Sequence, residues 1–278
     1  FLWFIKKFMK NKLAVVGSLI IIVFVIMAIF APIFATFDPN TTDLLNIRTS
    51  PNKVHILGTD DLGRDIFSRL LYGGRVSIAV GVASMILQIL IGVTIGVIAG
   101  YFGGLIDKII MRIVDIIMCF PFFVIAIALA AVIGGSITNL VLIIGMLMWP
   151  VITRIVRGEV LVTKQNEYIL AAKALGFNTF EIIIHHIIPN IISAILVSST
   201  LCIAQGILME ATLSFLGLGV NPPTPSWGNM LVAAQNMSVL SHKWWMWIPA
   251  GMSVVLIVLS VNFVGDGLRD ALDVEKSV

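Results

Sequence analysis

The sequence predicts an all-α polytopic membrane protein with six transmembrane helices, and three observations lead there. Of 278 residues, 59% are hydrophobic and 12% are charged, with a mean hydropathy of +1.05. A soluble core has no use for so many uncharged runs. Six runs approach the roughly 20 apolar residues that cross the hydrocarbon core of a bilayer: 13–35, 77–101, 116–133, 140–155, 191–213 and 247–264. The basic residues then alternate around those runs. Lys6, Lys7, Lys10 and Lys12 precede the first, and Lys108 and Arg112 separate the second from the third. Arg154, Arg157, Lys164 and Lys173 lie around the fourth-to-fifth connection, and Arg269 and Lys276 follow the sixth. Twelve of the 18 basic side chains thus fall on the side carrying both termini, which the positive-inside rule makes cytoplasmic. The net charge of +3 follows from this topology and calls for no nucleic-acid partner.

Residues 1–12 mix Phe, Trp and Leu with four lysines and read as a basic interfacial helix. Residues 13–35 form the first span. Their apolar run is too long for a signal peptide's core and shows no obvious small-residue cleavage site, so it is read as a retained anchor. Residues 36–75 form an extracytoplasmic segment with turn signals at Asp38-Pro39-Asn40 and Pro51-Asn52. In it Asp60, Asp61 and Asp65 crowd against Arg64 and Arg69, between Gly58 and later residues. The arginines are natural counter-charges, so ion pairs are expected and a metal centre is not. Asp60 or Thr59 is expected to cap a short helix through Leu71 that rests on the membrane surface.

Residues 76–264 hold five further spans. Gly81, Ala83, Ser84, Gly92, Gly96 and Gly100 let helices approach closely. Asp115 is expected to pair with Arg112 at i, i+3. Pro121 and Pro150 are expected to kink the third and fourth spans, freeing carbonyls for a water-filled path. Gln205 and Glu210, polar within the fifth span, join them as candidates for lining it. The extracytoplasmic loop 214–246 carries Pro222, Pro223, Pro225, Trp227 and Asn229, then an interfacial belt of Trp244, Trp245 and Trp247. Residues 265–278 read as a cytoplasmic tail, with Asp266, Arg269 and Asp270 tying the bundle end through ion pairs. Cys119 and Cys202 lie inside apolar runs and are read as small hydrophobes.

Between the fourth and fifth spans lies a loop, 157–190, that lipid cannot accept. Its stretch Glu167–Asn190 carries Glu167, Lys173, Glu181 and the adjacent His185 and His186. Ile169, Ala172, Leu175 and Phe180 recur at helical spacing around Gly176-Phe177-Asn178, which reads as helix, tight bend, helix. The two histidines stand about 100° apart on a helix and are poorly placed to share a metal. No Gly-x-x-x-x-Gly-Lys-Ser/Thr loop, His-Glu-x-x-His or Gly-x-Ser-x-Gly occurs, so no bound cofactor and no enzymatic activity are expected of this chain.

The hairpin resembles the cytoplasmic loop of ABC importer permeases, whose pattern is Glu-Ala-Ala, three residues, Gly, nine residues, Ile-x-Leu-Pro. Ala171, Ala172, Gly176 and Pro189 fall on that spacing, while Leu170, His186 and Ile188 depart from it. Three longer stretches are similar to the C-type permease subunit of oligopeptide, dipeptide and nickel importers. They are GTDDLGRDIFSRLLYGGRVS at 58–77, ATLSFLGLGVNPPTPSWGNML at 211–231 and NFVGDGLRDALD at 262–273.

The resemblance implies the type I ABC importer permease fold in a bacterial or archaeal inner membrane. It also implies half of a translocation path for peptides delivered by an extracytoplasmic binding protein. The implied partners are a second, homologous permease forming a heterodimer, two cytoplasmic ATPase subunits that hold ATP and Mg, and the binding protein. Ala171, Ala172, Lys173, Gly176, Phe177 and Pro189 would contact an ATPase; Asp60, Asp61, Arg64, Asp65, Trp227 and Asn229 would dock the binding protein. Peptide is the expected cargo, because no cluster of His, Cys or Met suggests a soft-metal path; nickel or a metal chelate is the alternative. A secondary transporter would need interrupted helices in repeated halves, which the sequence does not show. An intramembrane enzyme built on Asp115 and Glu210 would have its two acids at opposite faces.

Overall fold

The structure, a computed structural model, describes residues 2–272. Short helix α1 (Leu2–Phe8) leads into α2 (Lys12–Ile29), which starts where the Asn11 side chain accepts the N–H of Ala14. At its far end Arg75 donates to the carbonyls of Ala28 and Ile29, both at 2.5 Å, satisfying groups that a helix terminus leaves free. A single turn, α3 (Ala31–Phe34), follows at Pro32. Residues 35–65 run without regular structure to α4 (Ile66–Phe102).

At 37 residues α4 is about 55 Å long, far more than the roughly 30 Å of a hydrocarbon core. The short surface helix expected at 65–71 is therefore the first turns of this span. Its cap is Asp65, whose carboxylate accepts the Ser68 N–H at 2.8 Å, and neither Asp60 nor Thr59.

Gly103, at φ +65°, ends α4 and starts α5 (Gly104–Cys119), and α6 (Phe122–Ile133) follows at a 79° bend. The expected kink at Pro121 is thus a full break. Phe120 precedes a proline and is held extended, so neither helix can run through. By contrast α7 (Ile137–Thr163) continues through the buried Pro150. Next come α8 (Glu167–Ala174) and α9 (Thr179–Ile182), then a single π-turn at Ile183–Ile187 and α10 (Ile188–Phe215). The loop after α10 contains α11 (Trp227–Leu231) and α12 (Met237–His242) before α13 (Ile248–Leu272).

Small residues make α4 the spine. Added Cβ atoms on Gly92, Gly96 and Gly100 would lie 2.7, 2.8 and 2.7 Å from Ile152, Val156 and Val160 of α7. Nearer the start of α4, Gly81 meets Ile207 and Ser84 meets Gly206 on α10. The register with α7 has a topological consequence. It rises in the same order on both helices, so α4 and α7 run parallel and the chain between them must return across the bundle. The bent pair α5–α6 makes that return, and with it the candidate spans among the described residues number six.

α13 packs Gly265 against Thr200 of α10 and Gly267 against Ala14 of α2. Residues 265–272 are therefore helix where a tail was expected, and 273–278 lie outside the described residues. Asn11 donates to Asp270 at 3.2 Å, and among the described residues no ion pair of Asp266, Arg269 or Asp270 ties the bundle end. Asp115 pairs with Arg154 of α7 at 2.5 Å, not with Arg112, and Asp107 holds Arg157 through both carboxylate oxygens. Of the expected tryptophan belt, Trp244 is exposed, while Trp245 and Trp247 pack beside Ile66, Met230 and Val239.

Candidate functional sites

The hairpin forms at one end of the bundle. Glu159 of α7, Ser193 of α10 and Arg269 of α13 line one 480 Å³ cavity at that end. Its bend is Gly176 at φ +85°, where a side chain is disfavoured by backbone geometry alone, since nothing lies within 4 Å of an added Cβ. Asn178 and Glu181 then start α9 with a reciprocal capping box, at 2.9 and 3.0 Å.

Ile169, Ala172, Ile182 and Ile187 turn inward onto Val156 and Val160. The Ala171-Ala172 pair therefore splits. Ala172 is buried in the chain's own core, and only Ala171 is exposed for a partner. Lys173 lies over the Tyr101 ring at 5.2 Å, and Phe177 stands edge-on to His186 at 5.8 Å. Outward the hairpin shows Leu170, Leu175, Phe177 and Phe180, with Leu175 78% and Phe180 72% exposed. Pro189, also exposed, enters α10 just after the π-turn, whose wider winding relieves the clash of a proline ring with the preceding turn.

The four residues proposed to line a path fall into two groups. Gln205 and Pro121 are exposed on the outside of this chain, whereas Pro150 and Glu210 are buried within it. Glu210 is a junction. Ser77 of α4 donates to its Oε2 at 2.6 Å and Ser214 to its Oε1 at 2.7 Å, while the Trp227 N–H donates to the Ser77 hydroxyl at 3.2 Å. Sequence reasoning missed both serines. Ser214, one turn beyond Glu210, carried the i, i+4 signal; Ser77 carried none.

On the opposite side, the 36–65 segment is fastened by its charges. Asp65 accepts from Ser68 N–H and hydroxyl, both at 2.8 Å, and its other oxygen is 3.0 Å from His55 Nδ1. Asp60 takes Arg64 at 2.7 Å and lies 3.5 Å from Arg69, and Asp61 pairs with Arg48. Arg69 also donates to the carbonyl of Pro39 at 3.0 Å, joining the segment to α4.

Two of the expected docking residues are withdrawn by burial. Asp65 is 2% exposed, and Trp227 is 1% exposed, stacked edge-on with Phe24 and donating to the Leu70 carbonyl. The other four come together: Asp60, Asp61, Arg64 and Asn229 line one 170 Å³ cavity. A second cavity, 260 Å³, shares Arg64, Arg69 and Asn229 with it.

Residues 92–276 match the family model described as binding-protein-dependent transport system inner membrane component. Residues 2–51 match the N-terminal TM domain of oligopeptide transport permease C. The chain is 45% identical to the oligopeptide transport system permease protein OppC of Bacillus subtilis over 96% of its length and 87% of the relative's. It is 44% identical to the dipeptide transport system permease protein DppC of Alkalihalophilus pseudofirmus, over 96% and 88%. A glutathione transport system permease protein GsiD of Shigella flexneri is 42% identical, over 97% and 89%.

Proposed function

The chain belongs to the family of binding-protein-dependent transport system inner membrane components, as a C-type permease of peptide ABC importers, and from that premise we propose how it works. It is a permease subunit, not itself an enzyme, and its cargo is a short peptide. A second, homologous permease completes the path, two cytoplasmic subunits hydrolyse ATP with Mg, and an extracytoplasmic binding protein delivers the peptide. Both termini and the hairpin face the cytoplasm.

The observation that carries the coupling reading is the apolar rim of the hairpin. Leu175 and Phe180 stand out from an element that its charges keep out of lipid, which is costly unless a protein surface covers them. A groove of an ATPase subunit is that surface. Because Ile169, Ala172 and Ile182 root the hairpin on α7, closure of the ATPases would move it with the spans as one body. On the other side, Asp60, Asp61, Arg64 and Asn229 face the binding protein.

The test is uptake. Vesicles carrying both permeases and both ATPases should accumulate a labelled dipeptide only with ATP and the binding protein. Uptake that persists without the ATPases, or nickel uptake unaffected by excess peptide, would overturn the reading.

A further inference from the structure

We propose that the outer 260 Å³ cavity is a binding site for the C-terminal carboxylate of a short peptide. It lies between the start of α4, the end of α10 and the loop before α11. The inference rests on the peptide-importer reading and adds to it a cargo contact on the permease itself.

Among the described residues, Asp60 is the one carboxylate within ion-pair reach of Arg64 or Arg69, so two guanidinium groups share a single negative charge. Asp60 lines the neighbouring cavity and not this one. The lining here holds Arg64, Arg69, Ser214, Asn221 and Asn229 among glycine, proline and valine, and no acid.

Arg69 cannot turn away. It is 5% exposed, with Nη1 donating to the carbonyls of Pro39 at 3.0 Å and Pro223 at 3.5 Å. A buried cation without full counter-charge is costly, and an arriving carboxylate relieves that cost. The planar guanidinium also offers paired donors that suit a carboxylate.

Two of the three other polar side chains are engaged elsewhere. Asn229 donates to the Thr224 carbonyl and accepts from the Ser226 N–H, and the Ser214 hydroxyl turns to Glu210. Asn221 is neutral, so charge recognition falls to the two arginines. Asn221 and Pro222 at the rim are exposed, and the volume admits the terminal residue of a peptide as well as its carboxylate.

The experiment compares equilibrium binding of radiolabelled alanyl-leucine with that of its C-terminal amide. The assembled permease–ATPase complex is held in nanodiscs without binding protein, which removes that protein's own peptide site, and the variants assign what remains. The wild-type complex should prefer the acid by about tenfold, the scale of one charge-assisted hydrogen bond. Arg64→Gln should bring the ratio close to one, and Arg64→Lys should keep part of the preference. Asn221→Asp, an exposed change that adds a like charge beside the carboxylate, should abolish it without touching the arginines.

A ratio near one in the wild type overturns the proposal. So does a ratio unchanged in both Arg64→Gln and Asn221→Asp, in complexes that remain assembled. If those variants instead raise only the half-saturating concentration of binding protein, the arginines serve docking and the proposal fails. The acid–amide ratio needs neither ATP nor binding protein, so its failure is distinct from a failure of ATP-driven uptake.

Discussion

Gly176 and Ala172 are four residues apart, yet substitutions at the two positions should fail for different reasons. Gly176 sits at φ +85° with open space around it, so Gly176→Val meets no neighbour and pays only backbone strain, about 1 kcal/mol or somewhat more. That is too little to unfold packed spans and enough to tilt α8 against α9. The variant should insert and pair normally while co-purified ATPase and peptide uptake both fall; wild-type values of both would remove the hairpin from the coupling contact. Ala172→Arg forces a long cation into the cluster of Ile169, Val156 and Ile182, a burial without partner. It should loosen the hairpin even in the permease alone, seen as faster proteolysis at 167–182, which Gly176→Val should not cause. Glu210 supplies a third contrast. Glu210→Ala leaves the hydroxyls of Ser77 and Ser214 without their acceptor inside the bundle, a loss of about 1–3 kcal/mol. Glu210→Gln keeps an oxygen for one of them, so thermal unfolding in detergent should order the proteins wild type, Gln, Ala.

The broken span shows how element geometry assigns unequal weight to similar pairs. Asp107 and Asp115 both tie α5 to arginines of α7. Asp107 grips Arg157 with both oxygens and its side chain is 15% exposed, whereas Asp115 meets Arg154 through one oxygen at 49% exposure. A bidentate, partly buried pair keeps more of its strength than an exposed one, worth about 0–1 kcal/mol. Asp107→Asn should therefore lower the melting temperature measurably and Asp115→Asn should barely move it; equal shifts would mean that α5 is held by its apolar contacts alone. The same element marks the limit of what the sequence displayed. Six apolar runs were legible because a bilayer imposes a length, and the Gly176 bend was legible because positive φ selects glycine. Asp115 was assigned to Arg112 because neighbours along a helix can be read in sequence, while Arg154, 39 residues away, comes close only through packing. The Pro121 break looked like a kink for the same reason, since a proline in an apolar run gives no bend angle. Burial of Asp65 and Trp227 was also beyond local reading. It depends on Ser68, His55, Phe24 and Leu70 converging from separate segments.

For the whole molecule the decisive relation is the parallel run of α4 and α7. Gly92, Gly96 and Gly100 meet Ile152, Val156 and Val160 in the same order, so α5–α6 must carry the chain back between them. If that bent pair were instead re-entrant, α7 would start on the wrong side and the register could not form. An even number of crossings then puts the start of α2 and the end of α13 on one side, where the Asn11–Asp270 hydrogen bond joins them. The hairpin lies at that end, because Glu159, Ser193 and Arg269 share a cavity, and the 36–65 segment lies at the other. Which end faces the cytoplasm is set by the uneven distribution of lysine and arginine. Lys53 and Lys173 are both exposed and stand at opposite ends, which makes them a matched pair of reporters. With Cys119 and Cys202 replaced, an impermeant maleimide added to sealed cells should label Lys53→Cys and leave Lys173→Cys unlabelled until the membrane is opened. Labelling of both in sealed cells would break the six-span count, and labelling of Lys173→Cys alone would keep the count and invert the orientation, detaching the hairpin from any cytoplasmic ATPase.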